Sequence, residues 1–269
     1  MIELTNISGG YGNYEVIREL SLKFSDGQIT ALVGPNGSGK STLLNLCRGE
    51  IRSIQGEIMV DGRPISALSR ISVARKIALL PQSRAVPDIT VGALVLHGRF
   101  PWLGYPRVYR AEDKAAVEKA MERAGIWEKR HKLLVQLSGG ERQKAYIAML
   151  LAQGAGNILM DEPMTYLDIA HQLELMGIMK ELKNEGKCVI AVLHDLSAAM
   201  ETSDQVAVIK NGGLLAVGTP EDVMASGAIE GAFGVRPEYM TRIGFERIFN
   251  RNEDQIVNSG LCSSVCSKK

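Results

Sequence analysis

The amino-acid sequence predicts an α/β fold, in which a mixed sheet with helices is preceded by an N-terminal antiparallel β region and interrupted by an inserted helical lobe. Three observations support this prediction. Short apolar runs alternate with helical patterns along the 269 residues. The runs 157–160 and 188–193 are nearly continuous, which is typical of buried central strands in a parallel sheet. The run 28–33 leads into a glycine-rich loop and then a helix from about Lys40.

The first part of the chain predicts antiparallel strands. Residues 2–7 and 16–24 alternate between apolar and polar side chains, as strands with one buried face do. Residues 56–65 predict a hairpin, because the turn dipeptide Asp61-Gly62 lies between two strand-like segments.

The remaining elements predict a helical insertion and a final hairpin. The pattern is helical and charged over about 83–150, for example from Ala111 to Ala124, and we expect this stretch to form the lobe. Residues 205–217 predict a hairpin that turns at Asn211-Gly212. The expected domain covers residues 1–235, followed by a C-terminal extension over 236–269 that ends in a frayed tail.

Composition excludes several classes of protein. The 31 basic and 30 acidic residues give a net charge of +1, and only 5% of residues are aromatic, so we expect no nucleic-acid partner. The sequence has no apolar stretch of 18 residues and no signal-peptide pattern at its start. The four cysteines are scattered, which favours reduced thiols over a disulfide framework: Cys47, Cys188, Cys262 and Cys266.

A phosphate-binding loop is predicted where the sequence matches G-x-x-x-x-G-K-[ST]. Glycines let successive backbone N–H groups surround phosphate oxygens, and the following helix N-terminus favours an anion. Lys40 would bring its charge to the β- and γ-phosphates, and the Ser41 hydroxyl is a potential Mg²⁺ ligand. The strand before the loop and the helix after it argue against a mere flexible turn, and the loop is predicted to bind a nucleotide. The predicted nucleotide-binding residues are Gly34, Pro35, Asn36, Gly37, Ser38, Gly39, Lys40, Ser41 and Thr42.

Two carboxylates, Asp161 and Glu162, follow the buried run 157–160, at the edge where α/β sheets bind ligands. Asp161 is predicted to hold Mg²⁺, directly or through water, and Glu162 to orient or deprotonate an attacking water. A solvated strand end is the alternative when this pair is considered alone.

The segment Leu137-Ser-Gly-Gly-Glu-Arg-Gln143 opens a predicted helix about a hundred residues after Lys40. Ser138 and Glu141 have the spacing of a capping box, so this segment could be no more than a well-capped helix. The two glycines also leave backbone N–H groups free to meet a phosphate at the positive end of the helix dipole.

Taken in order, these motifs resemble the ATP-binding subunit of an ATP-binding cassette (ABC) transporter. The order is the phosphate loop, Gln82, Leu-Ser-Gly-Gly-Glu, Asp161-Glu162, Leu167-Asp168 and His194, and the resemblance covers about residues 1–235. It implies a P-loop ATPase core. It also implies a head-to-tail pair of subunits that buries two ATP molecules, each between the phosphate loop of one copy and the Ser138–Gly140 segment of the other.

The resemblance also implies roles for single residues. Gln82 would sense Mg²⁺ and the attacking water, and His194 would contact the γ-phosphate; a capped strand end is the alternative for His194. Asp168 would lie at the dimer seam, and Tyr11 would stack on adenine, with Tyr14 as the second choice. The partner's contribution would come from Ser138, Gly139, Gly140 and Glu141, where the family usually has glutamine in place of Glu141.

Two further segments resemble the importer branch for iron chelates, haem or cobalamin: Thr165-Tyr-Leu-Asp-Ile-Ala-His-Gln and Gly98-Arg-Phe-Pro-Trp102. In that branch two copies of the ATPase bind two membrane permease subunits at the cytoplasmic face of the membrane, and an external binding protein delivers the cargo. We expect a ferric siderophore as cargo, with haem, cobalamin or a metal ion or oxyanion as alternatives. The groove for the permease is predicted in Gln82–Arg110, with ordinary lobe core as the alternative for its apolar residues Val86, Ile89, Phe100, Trp102 and Leu103.

Other classes fit the sequence less well. ATPases of DNA repair carry long coiled coils between the phosphate loop and the Leu-Ser-Gly-Gly-Glu segment, and translation ATPases usually carry two cassettes. A P-loop kinase or GTPase needs no such segment. A catalytically inactive interaction module is disfavoured because Lys40, Asp161, Glu162 and His194 are all present.

Overall fold

A computed structural model describes residues 1–12, 14–82, 86–165 and 167–234. The predicted C-terminal extension, with Cys262 and Cys266, therefore lies outside the described residues, and the domain boundaries stay predictions. Among the residues described, no helix has the length and apolar character needed to cross a membrane.

Ten strands in the described part of the chain form two sheets, whose strand orders are β2-β1-β4-β5 and β10-β9-β3-β8-β7-β6. The strands are β1 (Ile2–Tyr11), β2 (Tyr14–Phe24), β3 (Gln28–Val33), β4 (Ser53–Val60), β5 (Arg63–Pro64), β6 (Ile77–Leu80), β7 (Asn157–Asp161), β8 (Cys188–Val192), β9 (Gln205–Lys210) and β10 (Gly213–Gly218). The four-stranded sheet is antiparallel, and in the six-stranded sheet only the β9–β10 pair is antiparallel. The predicted mixed sheet and N-terminal antiparallel region are therefore confirmed.

The α-helices within the described residues are α1 (Lys40–Cys47), α2 (Arg70–Lys76), α3 (Val91–His97), α4 (Ala111–Arg123), α5 (Gly139–Gln153), α6 (Ile169–Asn184), α7 (Leu196–Thr202), α8 (Pro220–Ala225) and α9 (Ala228–Phe233). We call α3, α4 and α5 the lobe helices, because they pack on one another. The ion pair between Arg99 Nε and Asp113 Oδ1, at 3.0 Å, joins the end of the α3 region to α4. Both side chains are largely buried, so this pair fixes how the two segments pack.

The middle of the larger sheet is buried on both faces, as its apolar runs predict. Every residue of β8 is buried, and so are the first four of β7 and the last five of β3. Strands β3, β8, β7 and β6 run parallel, so their carboxyl ends meet at one edge of the sheet. That edge positions the candidate site.

Both predicted hairpin turns are confirmed. Asp61 and Gly62 separate β4 from β5, and Asn211 and Gly212 separate β9 from β10. All four residues have positive φ, between 47° and 80°, as a tight hairpin turn with both central residues left-handed requires. At Gly212 a Cβ would lie 1.9 Å from the carbonyl oxygen of Val16, so this turn also needs glycine for space.

Candidate active site

The glycine-rich loop leaves the carboxyl end of β3 and enters α1. Gly34, Gly37 and Gly39 have φ of 152°, 77° and 104°, a region that L side chains rarely adopt. A Cβ at Gly34 would lie 2.1 Å from the carbonyl oxygen of Ile209, so a side chain there would force the loop away from the sheet. The path of the loop, and with it the direction of its N–H groups, therefore depends on these glycines.

Lys40 holds its charge inside this loop. Its side chain is 6% exposed, and Nζ donates hydrogen bonds to the carbonyl oxygens of Gly34 at 2.8 Å and Pro35 at 2.9 Å. Burial lowers the pKa of Lys40, and the nearby carboxylates of Glu162 and Asp161 oppose that shift. A partly desolvated ammonium attracts an incoming anion more strongly than one in water does.

Two further oxygen groups lie at this loop. Ser38 Oγ is buried and has no hydrogen-bond partner within the described residues, so it is available to a bound group. Ser41 Oγ donates a 3.1 Å hydrogen bond to Asp161 Oδ1, which brings the start of α1 to the end of β7. A hydroxyl beside a carboxylate is the kind of donor set that Mg²⁺ accepts, with its remaining ligands supplied by water and phosphate oxygens. The residues present therefore fit a magnesium nucleotide.

Three of the predicted residues meet because they follow neighbouring parallel strands. Gln82, Glu162 and His194 come just after β6, β7 and β8, which are adjacent in the sheet. Gln82 Nε2 donates to Glu162 Oε2 at 2.5 Å, and His194 Nε2 lies 2.5 Å from Glu162 Oε1. The Glu162 side chain is 14% exposed and that of His194 41%. The structure thus brings these side chains together, whereas their chemical roles stay predictions.

Glu162 is also the one non-glycine residue of the candidate site with positive φ among those described, at 49°. A non-glycine residue in this left-handed region has a strained backbone, and it persists only where the surrounding structure holds it there. Thr165 Oγ1, at 3.5 Å from Glu162 Oε2, belongs to the same turn. The strained turn aims the carboxylate back toward the carboxyl ends of the strands.

We expect Asp161→Asn to stabilise the nucleotide-free protein. Burial raises the pKa of Asp161, and the hydrogen bond from Ser41 opposes that shift. An acid whose pKa is higher in the folded protein than in the unfolded chain destabilises the fold at pH values above the folded-state pKa. Below the pKa of the unfolded chain it has no such effect. Replacement with asparagine, whose oxygen still accepts from Ser41, should therefore raise Tm at pH 7 by about 2 °C or more.

Thermal unfolding between pH 4.5 and 7.5 checks this expectation. The gain in Tm should shrink as pH falls, and the exposed Asp88→Asn should show no gain. A lower Tm for Asp161→Asn at pH 7 would mean that the charged carboxylate stabilises the fold instead.

The segment that opens α5 forms the predicted capping box. Ser138 Oγ accepts from the Glu141 amide at 3.3 Å, and Glu141 Oε2 accepts from the Ser138 amide at 2.9 Å. The ammonium of Lys129 lowers the pKa of Glu141 most, and the hydrogen bond from the Ser138 amide lowers it further. Together they hold this pKa at about 2, so the carboxylate is charged at neutral pH. Within the described residues, no hydrogen bond or ion pair joins Ser138–Glu141 to the phosphate loop of the same chain.

His171 is a residue of this region to which the sequence assigns no role. Asp168 is the N-cap of α6: its Oδ1 accepts from the His171 amide at 2.9 Å and lies 2.7 Å from His171 Nδ1. The His171 amide lowers the pKa of Asp168. The imidazole packs on Gly140, where a Cβ would lie 3.0 Å from Nε2. Asp168 and the start of α5 are therefore linked through His171, a link that the N-cap spacing Asp-x-x-His could have suggested.

The remaining predicted residues lie on the surface. Tyr11 and Tyr14 face each other at the end of the β1–β2 hairpin, and Tyr11 is 54% exposed. The Tyr11 hydroxyl accepts a 3.3 Å hydrogen bond from Asn45 Nδ2 on α1. Its ring is therefore near the helix that the phosphate loop opens, and stacking on adenine stays a prediction.

The apolar residues assigned to a permease contact separate into two groups. Val86, Phe100 and Trp102 are exposed, whereas Ile89 packs against the core and Leu103 is partly buried. For Ile89 the alternative of lobe core therefore has structural support. Two guanidinium groups, those of Arg75 and Arg99, lie over the ring of Trp102, each 5.3 Å from its centre.

Comparison with known proteins gives matches across most of the chain. The family model of the ABC transporter matches residues 17–165. The ferric enterobactin transport ATP-binding protein of Escherichia coli (strain K12) is 41% identical over 229 residues, 84% of each chain. The iron(3+)-hydroxamate import ATP-binding protein of Bacillus subtilis (strain 168) is 38% identical over 235 residues, 86% of this chain and 87% of that protein. The hemin import ATP-binding protein of Streptomyces coelicolor is 38% identical over 219 residues, 81% of this chain and 78% of that protein.

Solved structures share the fold. An ATP-binding cassette of an ABC transporter in its ADP conformation superposes with a TM-score of 0.77 at 21% identity, over 88% of this chain and 99% of that chain. An ATP-binding subunit of an ABC transporter gives a TM-score of 0.76 at 23% identity, over 86% of this chain and 95% of that chain.

Proposed function

The chain belongs to the ABC transporter family, and from this premise we propose that it is the ATP-hydrolysing subunit of an importer that energises uptake of a ferric siderophore through a separate membrane permease. The observation that carries the ATPase assignment is the Gln82–Glu162–His194 cluster beside the phosphate loop. The choice of cargo rests on the names of the relatives.

The phosphate groups of ATP are the anion that fits the loop Gly34–Thr42. Its backbone N–H groups and the buried Ser38 hydroxyl donate to phosphate oxygens, and Lys40 turns from its own loop carbonyls toward the nucleotide. Ser41, Asp161 and Gln82 are the residues that would hold Mg²⁺. When bound, the ion neutralises charge that develops on the β- and γ-phosphates.

Glu162 is the group that takes the proton from the attacking water. Both of its carboxylate oxygens are engaged, one by Gln82 and one by His194. A water can still donate to Glu162, because each carboxylate oxygen accepts two hydrogen bonds. His194, whose side chain is 41% exposed, can turn its Nε2 from Glu162 toward the γ-phosphate of a bound ATP.

A second copy of this chain completes the site in this proposal. Ser138, Gly139, Gly140 and Glu141 form the well-capped N-terminus of α5, a positive helix end that suits an anion. In their own chain they have no polar link to the loop among the described residues, so a phosphate ligand would reach them from a partner copy. Asp168, tied to Gly140 through His171, lies at the proposed seam.

The cargo is proposed from the relatives. Those named for ferric enterobactin and for iron hydroxamate are 41% and 38% identical and cover more than four-fifths of both chains. Haem is the second candidate, because the relative named for hemin import is 38% identical. The ATPase itself does not touch the cargo. Two permease subunits, an external binding protein and a position at the cytoplasmic face of the membrane complete the proposal, with the exposed Phe100 and Trp102 as permease contacts.

Uptake in the source organism tests this function. Cells that lack the chain should lose import of at least one ⁵⁵Fe-labelled siderophore, and wild-type chain but not Glu162→Gln should restore it. Haem and cobalamin uptake are measured in parallel. Tagged Glu162→Gln, isolated with ATP from solubilised membranes, should carry a many-helix permease identified by mass spectrometry. Unchanged uptake of every iron chelate, or ribosomal or DNA-repair partners without a permease, would contradict the proposal.

A further inference from the structure

A cleft of about 250 Å³ lies between the lobe helices and the core, away from the candidate active site. Its walls come from α4, the C-terminal end of α5 and the end of α6. Ala155 and Lys187 line it, and they precede β7 and β8. Asp161 and His194 lie at or beyond the carboxyl ends of the same strands. The cleft and the phosphate loop are therefore at opposite edges of the sheet.

Positive charge dominates the lining of this cleft. The charged side chains that line it are Arg99, Lys119, Arg123, Lys187 and Glu185. Arg99 is neutralised by Asp113. Arg123 bridges the lobe to the core, because its Nη1 lies 2.7 Å from Glu185 Oε1 and its Nε 2.9 Å from Glu181 Oε2.

Two lysines of the lining remain without a counter-charge within the described part of the chain. Lys119 and Lys187 have no ion-pair partner among the residues described. Arg123 Nη2 is buried and has no hydrogen-bond partner in the same part of the chain. A buried donor without a partner costs free energy, so Arg123 adds an unsatisfied cationic group to the wall of the cleft.

The rest of the lining is apolar. Ala116 and Leu151 are its partly exposed residues. The others belong to the main hydrophobic core and are at most 5% exposed: Ala120, Leu150, Ala152, Ala155, Ile158 and Leu182. The volume is below that of sites for drug-sized ligands, which sets an upper limit on the ligand. Cations beside an apolar surface fit a ligand with a charged head and a short apolar body.

We propose that this cleft binds a small amphipathic carboxylate. The carboxylate accepts hydrogen bonds from Lys119 and Lys187, and the apolar body lies on the partly exposed Ala116 and Leu151. Such a ligand contacts α4 on one side and the α6–β8 segment on the other. It therefore strengthens the connection that Arg123 already makes between the lobe helices and the core.

Isothermal titration of the full chain with hexanoate tests this site. Saturating ADP and Mg²⁺ are present throughout, so that the phosphate loop is filled. Hexanoate should bind with a Kd in roughly the millimolar range or tighter, and both acetate and hexanamide at least about tenfold more weakly. Acetate keeps the charge without the apolar body, and hexanamide keeps the body without the charge.

Variants locate the binding. The double variant Lys119→Ala/Lys187→Ala should weaken hexanoate binding at least about tenfold. Lys114→Ala, an exposed lysine of α4 that does not line the cleft, should leave Kd within about twofold. Undetectable binding of hexanoate to the wild-type chain, or an unchanged Kd in the double variant, would overturn the proposal. Equal affinity for acetate would overturn the apolar part of it.

Discussion

Glu162→Gln should stop ATP hydrolysis while it leaves ATP binding intact. The amide has the shape of the carboxylate but cannot take a proton, and loss of a general base lowers kcat about 10²- to 10⁴-fold. The contacts of the phosphate loop do not involve this side chain, so the Kd for ATP should change little. Phosphate release measured over time and binding of a fluorescent ATP analogue separate the two quantities.

The same variant tests the head-to-tail pair. With ATP bound and not hydrolysed, Glu162→Gln should accumulate as a dimer in light scattering, and Glu201→Gln, an exposed glutamate, should behave as the wild-type chain. Full hydrolysis by Glu162→Gln would show that another group activates the water. A variant that binds ATP and stays monomeric would mean that the pair needs the permease or that the head-to-tail arrangement is wrong.

Sequence patterns predict those parts of the molecule that are specified by interactions within a short segment. Strands β7 and β8 follow from continuous apolar runs, and the capping box of α5 follows from the spacing of Ser138 and Glu141, whose two hydrogen bonds lie within four residues. The glycine-rich loop is equally local. Each of these predictions rests on chemistry that a short segment contains.

Pairings between distant segments are not visible in this way. Strand β6 has four residues, follows α2 without a turn signal and is specified by its pairing with β7, 80 residues later in the chain. Its position is what brings Gln82 to Glu162. The resemblance to a family, and not the pattern, is what assigns Gln82 to the site. The packing of His171 on Gly140 is non-local in the same sense, since α5 and α6 must first be placed side by side.

Lys40→Ala should abolish tight ATP binding without unfolding the protein. The ammonium is buried at the mouth of the loop, and its charge-assisted hydrogen bonds to phosphate have no substitute in an alanine variant. The affinity for ATP should fall on the order of 100-fold or more. Because burial lowers the pKa of Lys40, the ammonium is less favourable in the nucleotide-free fold than in the unfolded chain, and its removal offsets the loss of two hydrogen bonds. Tm should therefore change little.

A second substitution separates charge from shape at this position. Lys40→Arg keeps the charge, but a planar guanidinium is larger than the space beside the Gly34 and Pro35 carbonyl groups, so ATP affinity should also fall. Lys23→Ala, on the exposed face of β2, is the matched control and should bind as the wild-type chain does. Wild-type affinity in Lys40→Ala, measured by equilibrium dialysis at unchanged Tm, would place the nucleotide away from the glycine-rich loop. Loss of affinity in both Lys40 variants, with Lys23→Ala unaffected, would tie ATP binding to an ammonium group at that one position.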